Sequence, residues 1–220
     1  AVHFSGTNQC FTNAIVSTAL DNFGIEAWVR PNTTNASSYF IAQNGFLYYG
    51  RWAIVQGGNS YFGFMEASPL NFGVGGGTPG LASPGGWAHV ALVRNNGINR
   101  FYVNGAADGP STTDAPLQPF GQFTIGCNFT TNFLGPGTVQ SNSFFNGTID
   151  EVRVFTFAPG QFSTNDLLFN ARVTTLSASG FAPGTATLNG RVGSVGFATT
   201  AWFEWGTTTN LGNLTAPQPF

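Results

Sequence analysis

An all-β sandwich or barrel is the fold class that this 220-residue chain predicts, on three observations. Apolar alternation broken by turn residues recurs about every 8 to 12 residues, the spacing of short antiparallel strands. Helical periodicity is nearly absent. One stretch, WAHVALVRNNGINRFYVNG (87–105), reads as two strands joined at Asn95, Asn96 and Gly97, residues that tolerate the positive φ angles of a tight hairpin.

Upstream of that hairpin, GIEAWVRP (24–31) alternates Ile25, Ala27 and Val29 with Glu26, Trp28 and Arg30. Pro31 closes the strand, because proline cannot donate to a sheet ladder. FLYYGRWAIVQGGNSYFGF (46–64) places Tyr48, Tyr49, Trp52 and Tyr61 close to turn residues. Exposed rings there would stack against sugar faces; packing in a core or an interface is the competing expectation, since each ring also sits in strand-like sequence. GVGGG (73–77) is not a phosphate loop, because no helix follows whose N-terminus would hold the anion, and it reads as a flexible connection. GTIDEVRVFTF (147–157) is a further strand, with Val152 and Val154 on one face and Glu151 and Arg153 on the other. A single helix is expected, opening at Ser163 with Asp166 three residues on in a capping-box spacing and running through TNDLLFNA (164–171).

The order AVHFSG, GIEAWVRP, WAHVALVRNNGINRFYVNG and FNGTIDEVRVF, followed by a short helix, resembles the laminin-G-like branch of the concanavalin A-type jelly rolls over residues 1–170. That resemblance implies two antiparallel sheets, one of them curved, used mostly to bind glycans or proteins. Some relatives bind calcium through acidic loop residues; no calcium-loop pattern matches particular residues here, so no cofactor site is assigned.

Residues 171–220 read as a second unit. ARVTTLSAS, GTATLNGRV and TTAWFEWGTTT are three strands, with Ala186, Leu188 and Val192 on one face of the second. They look like the first strands of a fibronectin type III-like repeat of bacterial surface proteins, a fold of seven strands in about 100 residues. Three strands cannot cover a sandwich core, so Leu188, Phe203 and Trp205 should stay partly wet and an open edge should invite pairing. A longer chain, packing on the jelly roll, or completion by a neighbouring copy would each resolve this. In the last case Leu188, Phe203, Trp205 and Phe220 are the assembly candidates, with Pro217 and Pro219 disfavouring the tail as a long strand.

Charged residues are 7% of the chain and there is no lysine, which leaves little for salt bridges to do. A net charge of −2 without a basic stripe argues against nucleic acid. No apolar run is long enough to span a membrane as a helix. A first residue Ala1 rather than Met suggests a removed leader and an extracellular or cell-surface location. An even cysteine count in such a chain predicts a Cys10–Cys127 disulfide, the alternative being two buried thiols.

No catalytic or metal-ligating residue is assigned. Glycoside hydrolysis needs two carboxylates about 5 to 9.5 Å apart, which on one strand face means acidic residues two or four positions apart. No Glu-x-Asp-x-x-Glu pattern occurs, Glu26 and Glu204 read as solvated strand residues, and Asp150 as a bonding partner for turn backbone. His89, in WAHVALV, reads as a packed or hydrogen-bonded imidazole. Three functional classes remain: a non-catalytic module that recognises glycan or protein, a subunit that polymerises into a filament or surface layer, and, least favoured, a jelly-roll hydrolase. Scarce charge, twenty-three phenylalanines and the incomplete C-terminal strands favour an adhesive or structural role with copies of itself as partners.

Overall fold

A computed structural model describes residues 1–35, 38–46, 50–66, 74–132, 135–139, 143–169, 172–193 and 200–219. The chain divides into two compact units, Ala1–Leu167 and Leu168–Phe220.

Unit 1 runs through β1 (Val2–Ser5), β2 (Phe11–Ala14), β3 (Phe23–Pro31), β4 (Ser38–Asn44), β5 (Trp52–Gly57), β6 (Ser60–Met65), β7 (Gly75–Gly76), β8 (Ala88–Asn95), β9 (Ile98–Val103), β10 (Ala106–Ala107), β11 (Gln122–Ile125), β12 (Phe129–Asn132), β13 (Gly135–Val139) and β14 (Asn146–Thr156). A front sheet has the order β1-β14-β3-β8-β9-β10 and a back sheet the order β2-β11-β4-β5-β6-β7, all antiparallel, while β12 and β13 form a separate hairpin. This is a jelly-roll sandwich. Gly75–Gly76, expected as loop, instead pairs with Phe62 and Gly63 as a two-residue edge strand.

The core lies between the sheets. Ile25, Ala27 and Val29 enter it from β3, Val90 and Leu92 from β8, Phe101 and Val103 from β9, and Trp52, Ile54, Tyr61 and Met65 from the back sheet. Phe23 stacks on Trp52 with ring centroids 3.8 Å apart. At the β8–β9 turn Asn96 and Gly97 have φ of 48° and 77°, the two consecutive positive angles that let a two-residue loop follow the strand twist.

A bulge sets the orientation of β14. Strict alternation from the core residue Ile149 would send Glu151 and Arg153 inward. Glu151 instead adopts φ 47°, and pairing with β3 slips between Asp150 (opposite Trp28) and Arg153 (opposite Glu26). The extra residue reverses the alternation, so Val152 and Val154 pack on the core and Arg153 faces Glu26 on the outer side.

The helix expected from Ser163 is one 3-10 turn, Thr164–Asp166. Its capping box forms as the spacing requires, but Leu167 is already extended with ψ 147°, and no helical residue is buried. An apolar face that would prolong the helix is missing, so the turn ends where the cap stops stabilising it. The segment 157–167 crosses the outer face of the front sheet: Phe162 meets Tyr102 of β9 at 6.3 Å, Arg153 of β14 donates to the Asp166 carbonyl at 2.6 Å, and Leu167 is buried.

Cys10, between β1 and β2, is bonded to Cys127 beyond β11, with Cα atoms 5.4 Å apart. It joins a front-sheet crossing to the back sheet.

Unit 2 is a twisted hairpin of β15 (Arg172–Ala182) and β16 (Thr185–Gly193), followed by β17 (Thr200–Ala201), β18 (Glu204–Trp205), β19 (Asn213–Leu214) and β20 (Gln218–Pro219). The third expected strand differs from its reading. It breaks at Trp202 and Phe203, and its halves pair with the tail, β17 with β20 and β18 with β19, rather than extending the hairpin. Pro219 sits opposite Thr200 in a two-residue pairing, which a residue without an N–H tolerates where a long ladder would not.

Candidate functional site

The outer face of the back sheet carries the aromatic surface. Along β6 the core takes Tyr61 and Met65, so the intervening Phe62 and Phe64 point outward and stay half-buried. Phe64 packs against Phe40, Ala53 and Val55 on the neighbouring strands. Glycines flank Phe62: a Cβ at Gly57 would come within 2.8 Å of its ring, and one at Gly77 within 2.9 Å. The two rings lie 6.5 Å apart at 40°. The result is an apolar, ring-lined strip, the kind of surface on which a sugar face or an apolar side chain packs.

Two of the four stacking candidates are corrected by burial. Trp52 and Tyr61 are fully buried in the core, and neither ring has a face for a ligand. Burial also pushes the Tyr61 hydroxyl well above its ordinary pKa. Tyr48 and Tyr49 lie outside the described residues. The residues missed were Phe62 and Phe64, whose signal was the period-2 register of SYFGFM: once Tyr61 is assigned inward, its even-numbered neighbours must face out.

Some of the few charges, expected to do little, instead sit in buried clusters. Glu26, read as a solvated strand residue, is fully buried; its Oε2 lies 2.9 Å from His89 Nε2 and its Oε1 accepts from the Arg153 guanidinium. His89 is thus hydrogen-bonded, and Trp28 lies beside it with centroids 5.5 Å apart. Glu66, at the end of β6, is also fully buried; its carboxylate lies 3.5 Å from Arg51 Nε and accepts from the Arg51 backbone N–H at 3.3 Å. Arg94 is a third hub, donating to the carbonyls of Leu20, Gly97 and Asp114 and to Asn99 Oδ1 at 2.7 Å. Asp150 accepts from the Glu151 backbone N–H at 3.0 Å.

These contacts bear on chemistry. Glu26 and Glu66 belong to opposite sheets, and each is held by an arginine away from solvent, so neither offers a carboxylate to a dissolved substrate. A calcium ion takes 6 to 8 oxygen ligands. Among the described residues no three His, Cys, Asp or Glu side chains converge. The carboxylate of Glu66 and the amide oxygen of Asn128 both face the Arg51 guanidinium, at 3.5 Å and 3.4 Å, and that guanidinium lies over the Phe40 ring at 5.2 Å. A cation does not fit beside that guanidinium.

Of the assembly candidates, Leu188 and Trp205 are exposed and Phe203 is half-buried, its ring lying where a Cβ on Gly190 would approach to 2.9 Å. Phe203 separates two clefts of unit 2, one along Val173, Thr174 and Trp202 and one along Ala186, Leu188 and Trp205. Phe220 lies outside the described residues.

No curated protein sequence matches the chain. Solved structures share its fold at low identity: the native heptameric SAP-like pentraxin of Limulus polyphemus (TM-score 0.52, 13% identity, 69% of this chain and 73% of that one), domains LG4-5 of the mouse laminin α1 chain (TM-score 0.52, 11% identity, 70% and 41%), and the ligand binding domain of botulinum neurotoxin serotype D in complex with N-acetylneuraminic acid (TM-score 0.53, 12% identity, 74% and 39%). The chain thus spans less than half of the laminin and neurotoxin chains. No helix among the described residues is long and apolar enough to cross a membrane. Apart from the first two residues of β1, the two six-stranded sheets, the β14 bulge and the outward-facing rings fall within residues 4–161, which match the family described as the concanavalin A-like lectin/glucanase superfamily, Laminin_G_3, and it is to this family that the chain belongs.

Proposed function

We propose that unit 1 is an extracellular, non-catalytic recognition module whose ligand, a glycan or a protein side-chain cluster, packs on the outer face of the back sheet. The observation that supports this reading is the Phe62–Phe64 pair, partly exposed on the outer face of a sheet whose core is already filled by other aromatics. The named binding properties of the similar structures lend the fold a precedent, and the burial of Glu26 and Glu66 speaks against hydrolysis. The disulfide accords with an oxidising compartment. Screening on a glycan array and an extracellular-protein panel tests it. The parent should give a hit that Phe62→Ala and Phe64→Ala weaken by about tenfold or more, given roughly 1 to 3 kcal/mol for a lost stacking partner. A hit unchanged by both substitutions removes the face from consideration.

A second reading, self-assembly through unit 2, has its own supporting observation. Val173 and Phe181 of the two-stranded β15–β16 hairpin are 69% and 76% exposed, Trp202 between β17 and β18 is 52% and Leu214 of β19 is 65% exposed, and an isolated hairpin is marginal in water. Copies pairing by strand addition would cover these side chains and give an adhesive or filamentous protein. Electron microscopy and sedimentation of the purified chain decide it: filaments or concentration-dependent oligomers lost on Trp202→Ser with Leu214→Ser support assembly, and a monomer at all concentrations rejects it.

A further inference from the structure

Among the described residues of unit 2 no side chain is buried. One ring, Phe203, stands between the β15–β16 hairpin and the short strands that follow, in the space that Gly190 leaves without a Cβ. Its backbone is pinned on both sides: the Phe203 N–H donates to Thr215 Oγ1 and its carbonyl accepts from the Thr215 N–H, each at 2.9 Å. Toward the hairpin tip the apolar face is left open. Gly184, Thr185, Ala186, Leu188, Phe203 and Trp205 line a cleft there of about 740 Å³, large enough for an aromatic side chain and its neighbours.

The side chain whose register would fill that cleft stands outside it. Val173 lines the neighbouring cleft, and period-2 alternation from it along β15 assigns Phe181 to the face of Ala186 and Leu188. Pairing with β16 slips between Leu176 and Ser179 and again between Ser179 and Ala182, so the two slips cancel in phase. Gly180, with φ 59°, lies at the second slip, and a bulge that opens on a left-handed glycine re-aims the residue after it. Phe181 is therefore not part of the cleft wall, and at 76% it is the most exposed large hydrophobic side chain among the described residues. Protrusion and cleft belong to one hairpin tip. A surface that carries both is self-complementary, and a two-fold axis satisfies both copies at once. From Val173 to Gly190 the sequence holds no charged residue, so the like charges that usually keep exposed strands apart are missing. Phe181, Trp205 and Leu188, 76%, 48% and 36% exposed, offer on the order of 700 Å² of apolar surface in two copies, at about 150 to 250 Å² for an aromatic residue. That is the non-polar share of an interface at the small end of the usual range, which sets a weak, reversible association.

We propose that unit 2 pairs with a second copy of itself through the hairpin tips, each Phe181 seated in the cleft of Ala186, Leu188 and Trp205 on the other copy. The pairing rests on the reading that unit 2 associates, and it gives a closed pair where strand addition would give an open chain. Sedimentation of the whole chain tests it. The parent should pass from monomer to dimer between about 1 μM and 1 mM and go no further. Phe181→Ser, which changes one exposed side chain, and Ala186→Arg, which fills the cleft, should each weaken the dimer about a hundredfold or more with an unchanged melting temperature, because each removes two contacts per pair. Mixed in equal amounts, the two variants should associate at least about tenfold more tightly than either alone, since the first keeps an intact cleft and the second an intact Phe181; a folding defect would give no such rescue. An undiminished dimer in Phe181→Ser, or no rescue in the mixture, overturns the tip contact, and loss of association in Trp202→Ser with Leu214→Ser then leaves the broader self-assembly reading standing without it. Growth beyond the dimer overturns the two-fold closure. A parent that stays monomeric throughout overturns both.

Discussion

Replacing Arg153 by leucine strands a carboxylate. Glu26 is fully buried, and its two oxygens are shared between His89 and Arg153, the latter being the more exposed partner with 28% of its side chain open. Removing one partner of a buried pair typically costs about 3 to 5 kcal/mol, because the remaining charge stays desolvated. Arg153 also ties the Asp166 carbonyl, so the same change loosens the 157–167 segment. For a unit of Ala1–Leu167 this corresponds to a melting temperature lower by about 6 to 20 °C, at roughly 2 to 4 °C per kcal/mol. Glu26→Gln should cost less, since the freed guanidinium reaches water while the amide keeps a hydrogen-bonding role toward His89. The double variant should lose less than the sum of the two, a positive coupling of about 1 kcal/mol or more. Urea denaturation followed by tryptophan fluorescence measures all three. An Arg153→Leu variant within about 0.5 kcal/mol of the parent, or strict additivity, would refute the claim that this cluster holds the segment.

Three further outcomes follow from the same contacts. Alkylation without reductant should leave intact mass unchanged, and Cys10→Ala with Cys127→Ala should destabilise by up to about 5 kcal/mol, the chain-entropy value for a separation of 117 residues. Tyr61→Phe should be neutral or stabilising by up to about 1 kcal/mol at neutral pH, because the buried Tyr61 hydroxyl has no partner among the described residues, whereas Trp52→Ala should cost about 3 to 5 kcal/mol; equilibrium unfolding separates them. Burial raises the folded-state pKa of Tyr61 above its ordinary value near 10, so above that pH the unfolded chain releases a proton that the folded chain keeps. Stability should therefore fall as pH rises beyond about 10, more steeply in the parent than in Tyr61→Phe.

The sandwich itself was legible because strand alternation is a local property. Ile25, Ala27 and Val29 pack inward as their spacing requires, and the Asn96–Gly97 turn is where the sequence places it. What local pattern could not supply is whether the opposite face of a strand is also covered. Glu26 and Trp28 alternate like solvent-facing residues, yet both are buried, Glu26 against Arg153, 127 residues downstream in the chain. The same gap explains the stacking candidates: proximity to turns drew attention to Trp52 and Tyr61, while the choice of face depended on the register against β5 and β7. In unit 2 local pattern marks strand-like stretches but not their partners: Glu204–Trp205 pairs with Asn213–Leu214 rather than with β16, and Leu211 in the intervening turn has φ 51°.

The position of the disulfide has a mechanical consequence. Tension applied between Ala1 and Leu167 first peels β1 from β14, beginning at the Val2–Ile149 pair, so the ladder bonds yield one after another rather than together. That release stops at Cys10. The 117-residue stretch to Cys127 is bypassed by the covalent bond, which carries the load directly to the far end of β11. At roughly 3.3 to 3.6 Å per residue, about 400 Å of contour length is withheld from extension. Most of both sheets lies inside that shielded stretch, so a pulled molecule would lengthen by its terminal segments while the face that carries Phe62 and Phe64 stayed out of the line of force.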